Sequence, residues 1–419
     1  MGSQSCTSGA APTITAGFQE SAGCVRDRQP AAGLETSFAN GGQVSVSHAE
    51  PWANPGAPWK VLKWLAREDA PLLFRLRADP TQWRWVLAFL RECTPARTRH
   101  NIRQMVNLGL YSRSTLQVLR RQLSLDYDQL TRGILHFYTS QAEFDAAQAP
   151  ARVMREHGCE LDMKTPDECV AIEPALAQCR DRIVGGSMTA SDESGDAHRF
   201  TQQLASRCVA AGVRFLWQTR IVGVDRRDDA LAGVQVADAQ GEVRTLEADA
   251  FVLCLGSFSP GFARRLGLDL RIYPAKGYSV TLPVTAPEAS YSVSLTDDEH
   301  KLVFSRLGER LRIAGTAELN GWDDSLNLVR CEAIVRRVRE LFPAMTDGRG
   351  ARYWTGLRPA TPGNAPYIGR SALRNLYLNT GHGTLGWTHG AGSGRAIADI
   401  VCGRRPALDF AFTPQTRFG

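Results

Sequence analysis

No stretch of the 419-residue chain is apolar enough to span a bilayer: its longest apolar runs, such as Ala250 to Leu255, fall far short of the ~18–20 residues a membrane helix needs. No two of its ten cysteines have C-x-x-C spacing, and Cys159, Cys169 and Cys179 simply follow one another ten apart. That argues against a metal site and for reduced thiols. Neither charge sign is in large excess. The 49 Lys and Arg against 43 Asp and Glu leave +6, too little over this length to argue for nucleic acid. There is no internal repeat and no basic-then-apolar leader, so the expected location is cytoplasmic. Residues 1–26 are rich in Ser, Gly, Ala and Thr and lack an apolar run that would make a buried strand. Gly9 and Gly17 are eight apart with Pro12 between them, so the segment reads as a loose tail.

What remains is ordinary globular material. At 43% apolar and 22% charged residues, the chain is long enough for two domains or one composite domain, and buries about three quarters of its unfolded surface. His198 to Ala211 reads as a helix closed by Gly212, followed by a strand from Val213 to Trp217. Val234–Val236 and Val243–Leu246 read as a hairpin, and Phe251–Leu255 as a buried strand ending at Gly256. This is the texture of an α/β nucleotide-binding domain. Tyr278–Leu282, Leu302–Phe304 and Leu311–Ala314 alternate as antiparallel strands, and the spacing of Ile334, Val335, Val338, Leu341 and Phe342 predicts a helix over 326–342.

Residues 51–93 hold five of the nine tryptophans, Trp52, Trp59, Trp64, Trp83 and Trp85, among Lys60, Lys63, Arg67, Arg75, Arg77 and Arg84. Helices are expected from Pro58 and over Thr81–Cys93, the second with Trp83, Val86, Leu87 and Leu90 on one side and Trp85 and Phe89 on another. Such faces serve equally as core or as an interfacial surface on a bilayer.

The most specific local signal lies near the C-terminus. The strand Leu376–Leu378 leads into Gly381-His382-Gly383-Thr384-Leu385-Gly386 and then a helix through Ile397, Ile400 and Val401. Glycines let backbone approach a ligand, and a helix N-terminus offers free N–H groups and a positive dipole end. A dinucleotide fingerprint needs a further strand with an acidic residue about 20 positions on. Asp399, 13 past Gly386, lies inside the helix instead. The loop is therefore expected to face the ring end of a cofactor, where the helix N-terminus would stabilise an anionic reduced flavin. Upstream, WTGLRPATPGNAPYIG (354–369) sets Arg358 among prolines and glycines. A guanidinium fixed this way suits a substrate carboxylate or a structural ion pair.

Four segments, ETSFANGGQVSVSHAEPWANPG (35–56), YPAKGYSV (273–280), WTGLRPATPGNAPYIG (354–369) and NTGHGTLGWT (379–388), occur in an order that resembles the small subunit of bacterial D-amino acid dehydrogenase, in the D-amino acid oxidase/glycine oxidase superfamily. The resemblance runs from about Asp27 to the end. It implies an α/β and α+β protein: a discontinuous, Rossmann-like FAD domain (27–50, 185–260 and 350–419) and a substrate domain with a mainly antiparallel sheet (51–184 and 261–349), with 1–26 apart from both. It implies oxidation of a D-amino acid such as D-alanine to a 2-oxo acid and ammonia. Hydride would pass to FAD and then to a respiratory quinone at the inner face of the cytoplasmic membrane, with 51–93 as peripheral contact. It places Arg358 on the substrate carboxylate and Tyr278 beside it. Asn40, Gly41, Gly42, Gln43, Gly256 and Gly381 to Gly386 (with His382, Gly383, Thr384 and Leu385) would lie near the flavin, and Asp27 on the ribose. His382 and His389 read as structural. The family's opening strand–GxGxxG–helix, which cradles the FAD pyrophosphate, has no counterpart in residues 1–26. An apo remnant and an oxygen-using oxidase similar to glycine or sarcosine oxidase are the alternatives.

Overall fold

The computed structural model describes residues 29–64, 68 and 70–418. The expectations for 1–26 and for Asp27 fall outside these residues. The centre of the fold is a nine-stranded sheet. Its order is 352–360, 273–283, 310–319, 302–307, 294–297, 134–138, 185–189 and 162–164, with 72–74 added alongside the far end of 310–319. Pairing is antiparallel except at 294–297/134–138 and 310–319/72–74. One face carries the main core, where Tyr278, Val280 and Leu282 meet Cys331, Ile334, Val338 and Leu341 of the helix Leu328–Leu341. Alternation along the strand sends Gly277 and Ser279 to the other face.

The second layer is smaller. Strands 251–253 and 376–380 run parallel, and 367–370 pairs antiparallel with the latter. Beside them stands a meander of Arg220–Arg227, Ala230–Ala237 and Val243–Leu246. The expected strand Val213–Trp217 does not form. Among the described residues it has no neighbour to ladder with: Val213 N–H donates back to Cys208 O (3.0 Å), and just beyond the segment Gln218 N–H donates to Gln29 O (3.0 Å). Two strands expected with the cofactor domain, 185–189 and 352–360, instead belong to the large sheet.

The helix Pro95–Leu123 has no counterpart in the sequence reading. Thr94 caps it by accepting from Arg97 N–H (3.3 Å), and Pro95 supplies a first residue that needs no donor. It packs on the C-terminal helix Gly386–Val401 so closely that a Cβ on Gly392 would lie 2.7 Å from Ser112 Cα. Gly392 N–H donates to Ser112 Oγ (2.9 Å) at that crossing.

Residues 51–93 are partly core and partly exposed. Trp85 and Phe89 of the helix Pro80–Glu92 are buried against Tyr273 and Ala360. Trp83, Leu87 and Leu90, at i, i+4 and i+7, face outward with Trp59 and Leu76. No described helix is long and apolar enough to cross a membrane.

Candidate active site

Between the large sheet and the C-terminal helix lies a cavity of about 1180 Å³. Asn40, Gly41, Gln43, Gly256, Arg358 and residues 382–386 all line it, so distant parts of the sequence converge on one cavity. Gly42 and Gly381 do not. They serve turns, with φ of +82° and +84°.

Loop 40–48 is rigidly held. Gln43 Nε2 donates to Ser294 Oγ (3.0 Å), Leu295 O (3.0 Å) and Thr296 Oγ1 (3.2 Å). The buried Asp192 accepts from Val46 N–H (3.0 Å), Ser47 N–H (3.1 Å) and Ser47 Oγ (2.8 Å), and pairs with Arg113 (2.9 Å).

Arg358 sits on strand 352–360, which is clamped on several sides. Ser257 Oγ donates to Leu357 O (2.9 Å), Trp85 Nε1 donates to Ala360 O (2.8 Å), and Ala360 forms a bridge to His382. The guanidinium donates to Thr316 O (2.7 Å) and Gly315 O (3.4 Å), and no described carboxylate pairs with it. Burial pushes it down to about 10, helped by the charge of Arg330. It lies across Gly277, where a Cβ would come within 2.3 Å of its Cζ. The glycine of the Lys-Gly-Tyr-Ser motif thus makes room for the arginine.

Tyr278, expected beside the substrate, turns the other way. It borders the cavity, but strand alternation puts its ring in the main core, under the Arg330 guanidinium (5.3 Å). Its hydroxyl donates to Glu318 Oε2 (2.5 Å).

The C-terminal helix opens onto the cavity through Gly386 and Gly390. A Cβ added at Gly390 would meet nothing within 4 Å. Asn379 Oδ1 and Trp387 Nε1, from two residues on the cavity wall, are buried without a hydrogen-bond partner. A helix N-terminus, a wall without side chains and two unsatisfied polar atoms fit a flat polar ring such as a flavin. Burial holds His382 near 4, and burial with the neighbouring His382 holds His389 near 3, so both imidazoles are neutral beneath that positive helix end. His382 Nε2 is 3.0 Å from Ser393 Oγ.

The opposite wall carries a polar cluster absent from the sequence reading. His136 Nδ1 lies 2.7 Å from Asp298 Oδ2, and Lys301 Nζ donates to Asp298 Oδ1 (3.1 Å). His48 stacks on His136 at 5.7 Å and is pushed down to about 4, first by burial and then by His136. His48 lies in the 35–56 segment, but His136 and Asp298 are 88 and 250 residues away, and no spacing rule connects them.

The sequence profile of the FAD dependent oxidoreductase (DAO) family matches residues 22–400, and the chain belongs to that family. Within it, the chain is 55% identical over 388 residues to the D-amino acid dehydrogenase of Dechloromonas aromatica, covering 93% of each chain. It is 52% identical to that of Paramagnetospirillum magneticum, covering 92% of this chain and 90% of the relative. Glycine oxidase from Geobacillus kaustophilus shares the fold, with a TM-score of 0.69 at 20% identity over 94% of this chain and 91% of that one.

Proposed function

We propose that this chain oxidises D-amino acids to 2-oxo acids and ammonia; its relatives at 55% and 52% identity are named D-amino acid dehydrogenase. The carrying observation is Arg358, a guanidinium on the cavity wall with no carboxylate among the described residues to neutralise it. Such a charge is costly without a ligand anion, and its planar fork matches a carboxylate. Arg358 holds the substrate carboxylate and so fixes the Cα–H bond against the ring site formed by loop 40–43, Gly256 and residues 382–386. FAD, when bound there, supplies the two-electron acceptor. The neutral His382 and His389 keep positive side-chain charge away from the ring site. Tyr278 supports the strand that faces Arg358 and takes no part in the chemistry. The cofactor part of the molecule then comprises the small sheet, the meander and the C-terminal helix, and the large sheet with strands 185–189 and 352–360 is the substrate part.

The test is the visible spectrum of the FAD-loaded protein without oxygen. D-alanine should bleach the flavin band and L-alanine should leave it intact. Bleaching by both, or by neither, would overturn the reading. Peroxide formed in step with turnover in air would make it an oxidase.

The acceptor in this reading is a respiratory quinone at the inner face of the cytoplasmic membrane. The support is the outward face of Trp59, Leu76, Trp83, Leu87 and Leu90, bordered by exposed Arg84 and Arg91. The protein should co-sediment with vesicles containing anionic lipid, and more weakly as salt rises. Replacing Trp83, Leu87 and Leu90 by serine should reduce the bound fraction several-fold with the soluble-dye activity kept. Equal sedimentation of both proteins counts against the docking face.

A further inference from the structure

The ionic pairing around the cavity leaves a second charge over. Lys60 is held by Glu143 (2.9 Å), Arg99 by Glu156, and Lys301 by Asp298 (3.1 Å). Among the described residues on the wall, the side chains left with a formal charge and no ionic partner are Arg358 and Glu50. Glu50 accepts only from Asn54 Nδ2 (3.2 Å). Glu50 itself is exposed, so its carboxylate stands open to a ligand cation at the cavity wall.

The two charges lie at different depths. Arg358 is among the charges acting on His48. Glu50, two residues further on, shares Lys301 and Asp298 with His48 but has Lys60 and Glu143 in place of Arg358. Lys60 is about half exposed and Glu143 one-third exposed, which marks the outer end of the cavity. The loop thus leads from the carboxylate site outward to Glu50. The same cavity wall includes the apolar Ile102, Pro150, Val153 and Met154, which suit methylene groups.

Resting on Arg358 as the carboxylate site, we infer that Glu50 is a specificity-determining residue that receives the terminal cation of a long substrate side chain. The favoured class is D-amino acids of the lysine, ornithine and arginine type. A carboxylate placed to pair with a side-chain cation adds a charge-assisted hydrogen bond that an isostere without the amine cannot make.

The test compares D-lysine with D-norleucine, which has a chain of the same length without the amine. In the FAD-loaded native protein kcat/KM should favour D-lysine. In Glu50→Gln the D-lysine to D-norleucine ratio should fall at least tenfold. D-lysine should also raise the melting temperature of the native protein, and raise it less in Glu50→Gln. A native preference for D-norleucine, or a ratio unchanged by the substitution, overturns the inference and leaves the wider reading intact. If no D-amino acid, D-alanine included, reduces the flavin, the wider reading fails and the inference fails with it.

Discussion

Replacing Arg358 by alanine should lower kcat/KM for D-amino acids by about a hundredfold to ten-thousandfold while leaving the folded protein at least as thermostable as before. The first half follows from the loss of two charge-assisted hydrogen bonds to the substrate carboxylate, worth about 1.5–3 kcal/mol each. The second half follows from the arginine's surroundings. Its partners within the protein are two carbonyls, Thr316 O and Gly315 O. A buried charge without a counter-ion is a burden on the folded state, and its removal is neutral or stabilising. An arginine kept for structure would behave in the opposite way, with the melting temperature falling. The pair of measurements therefore separates the roles: kinetics with a dye acceptor, and thermal unfolding without substrate. Arg358→Lys should fall between, because it keeps the charge and loses the planar fork. Gly277→Ala should weaken substrate binding without changing charge, since the added Cβ would stand 2.3 Å from Arg358 Cζ. A drop in melting temperature for Arg358→Ala with kcat/KM within a few-fold of native would make this arginine structural.

The readable parts of the sequence were those governed by local rules. The 381–386 glycine loop ahead of its helix, the alternation in 273–283 and the i, i+4 pattern of 328–341 each follow from backbone geometry over a few residues, and each stands where it was expected. Arg358 stood out because glycines and prolines fixed its neighbourhood. Long-range pairing stayed hidden. Tyr278 is adjacent to Gly277 in sequence, yet the two-residue period of a strand sends its ring through the sheet into the core. Strand 352–360 follows the cofactor motifs along the chain but pairs with 273–283, because nine residue pairs of ladder outweigh sequence proximity. The helix 95–123 is dense in arginine and glutamine, which dilutes its apolar stripe. Its buried face shows only once the C-terminal helix lies against it. The cluster of His48, His136 and Asp298 is assembled from a loop, a strand and a turn, and no local pattern announces such a set.

Grafting a strand–GxGxxG–helix unit in place of residues 1–26 should tighten FAD binding at least a hundredfold and raise the melting temperature. In the proposed reading the described residues hold the ring end of the site, and the sequence of residues 1–26 lacks the glycine spacing that supplies a pyrophosphate with backbone N–H groups. Two or three such bonds to a charged group, at about 1.5–3 kcal/mol each, account for that gain or more. Among the described residues the small sheet has an edge that an added strand would pair with. Strand 251–253 pairs with 376–378 on one side, and no described strand covers its other edge, where Val252 is 36% exposed. Nearby, 213–217 is left without a ladder, although its composition suits a strand. A parallel strand entering beside 251–253 would satisfy that edge and bring its glycine turn toward the cavity. Titration of FAD into the native and grafted apoproteins, followed by flavin fluorescence, measures the affinities, and thermal unfolding without FAD measures the sheet's share. Equal affinity in the two proteins would mean that residues 1–26 already serve the pyrophosphate despite lacking the glycine spacing. A gain in melting temperature without a gain in affinity would confine the graft's effect to the sheet edge.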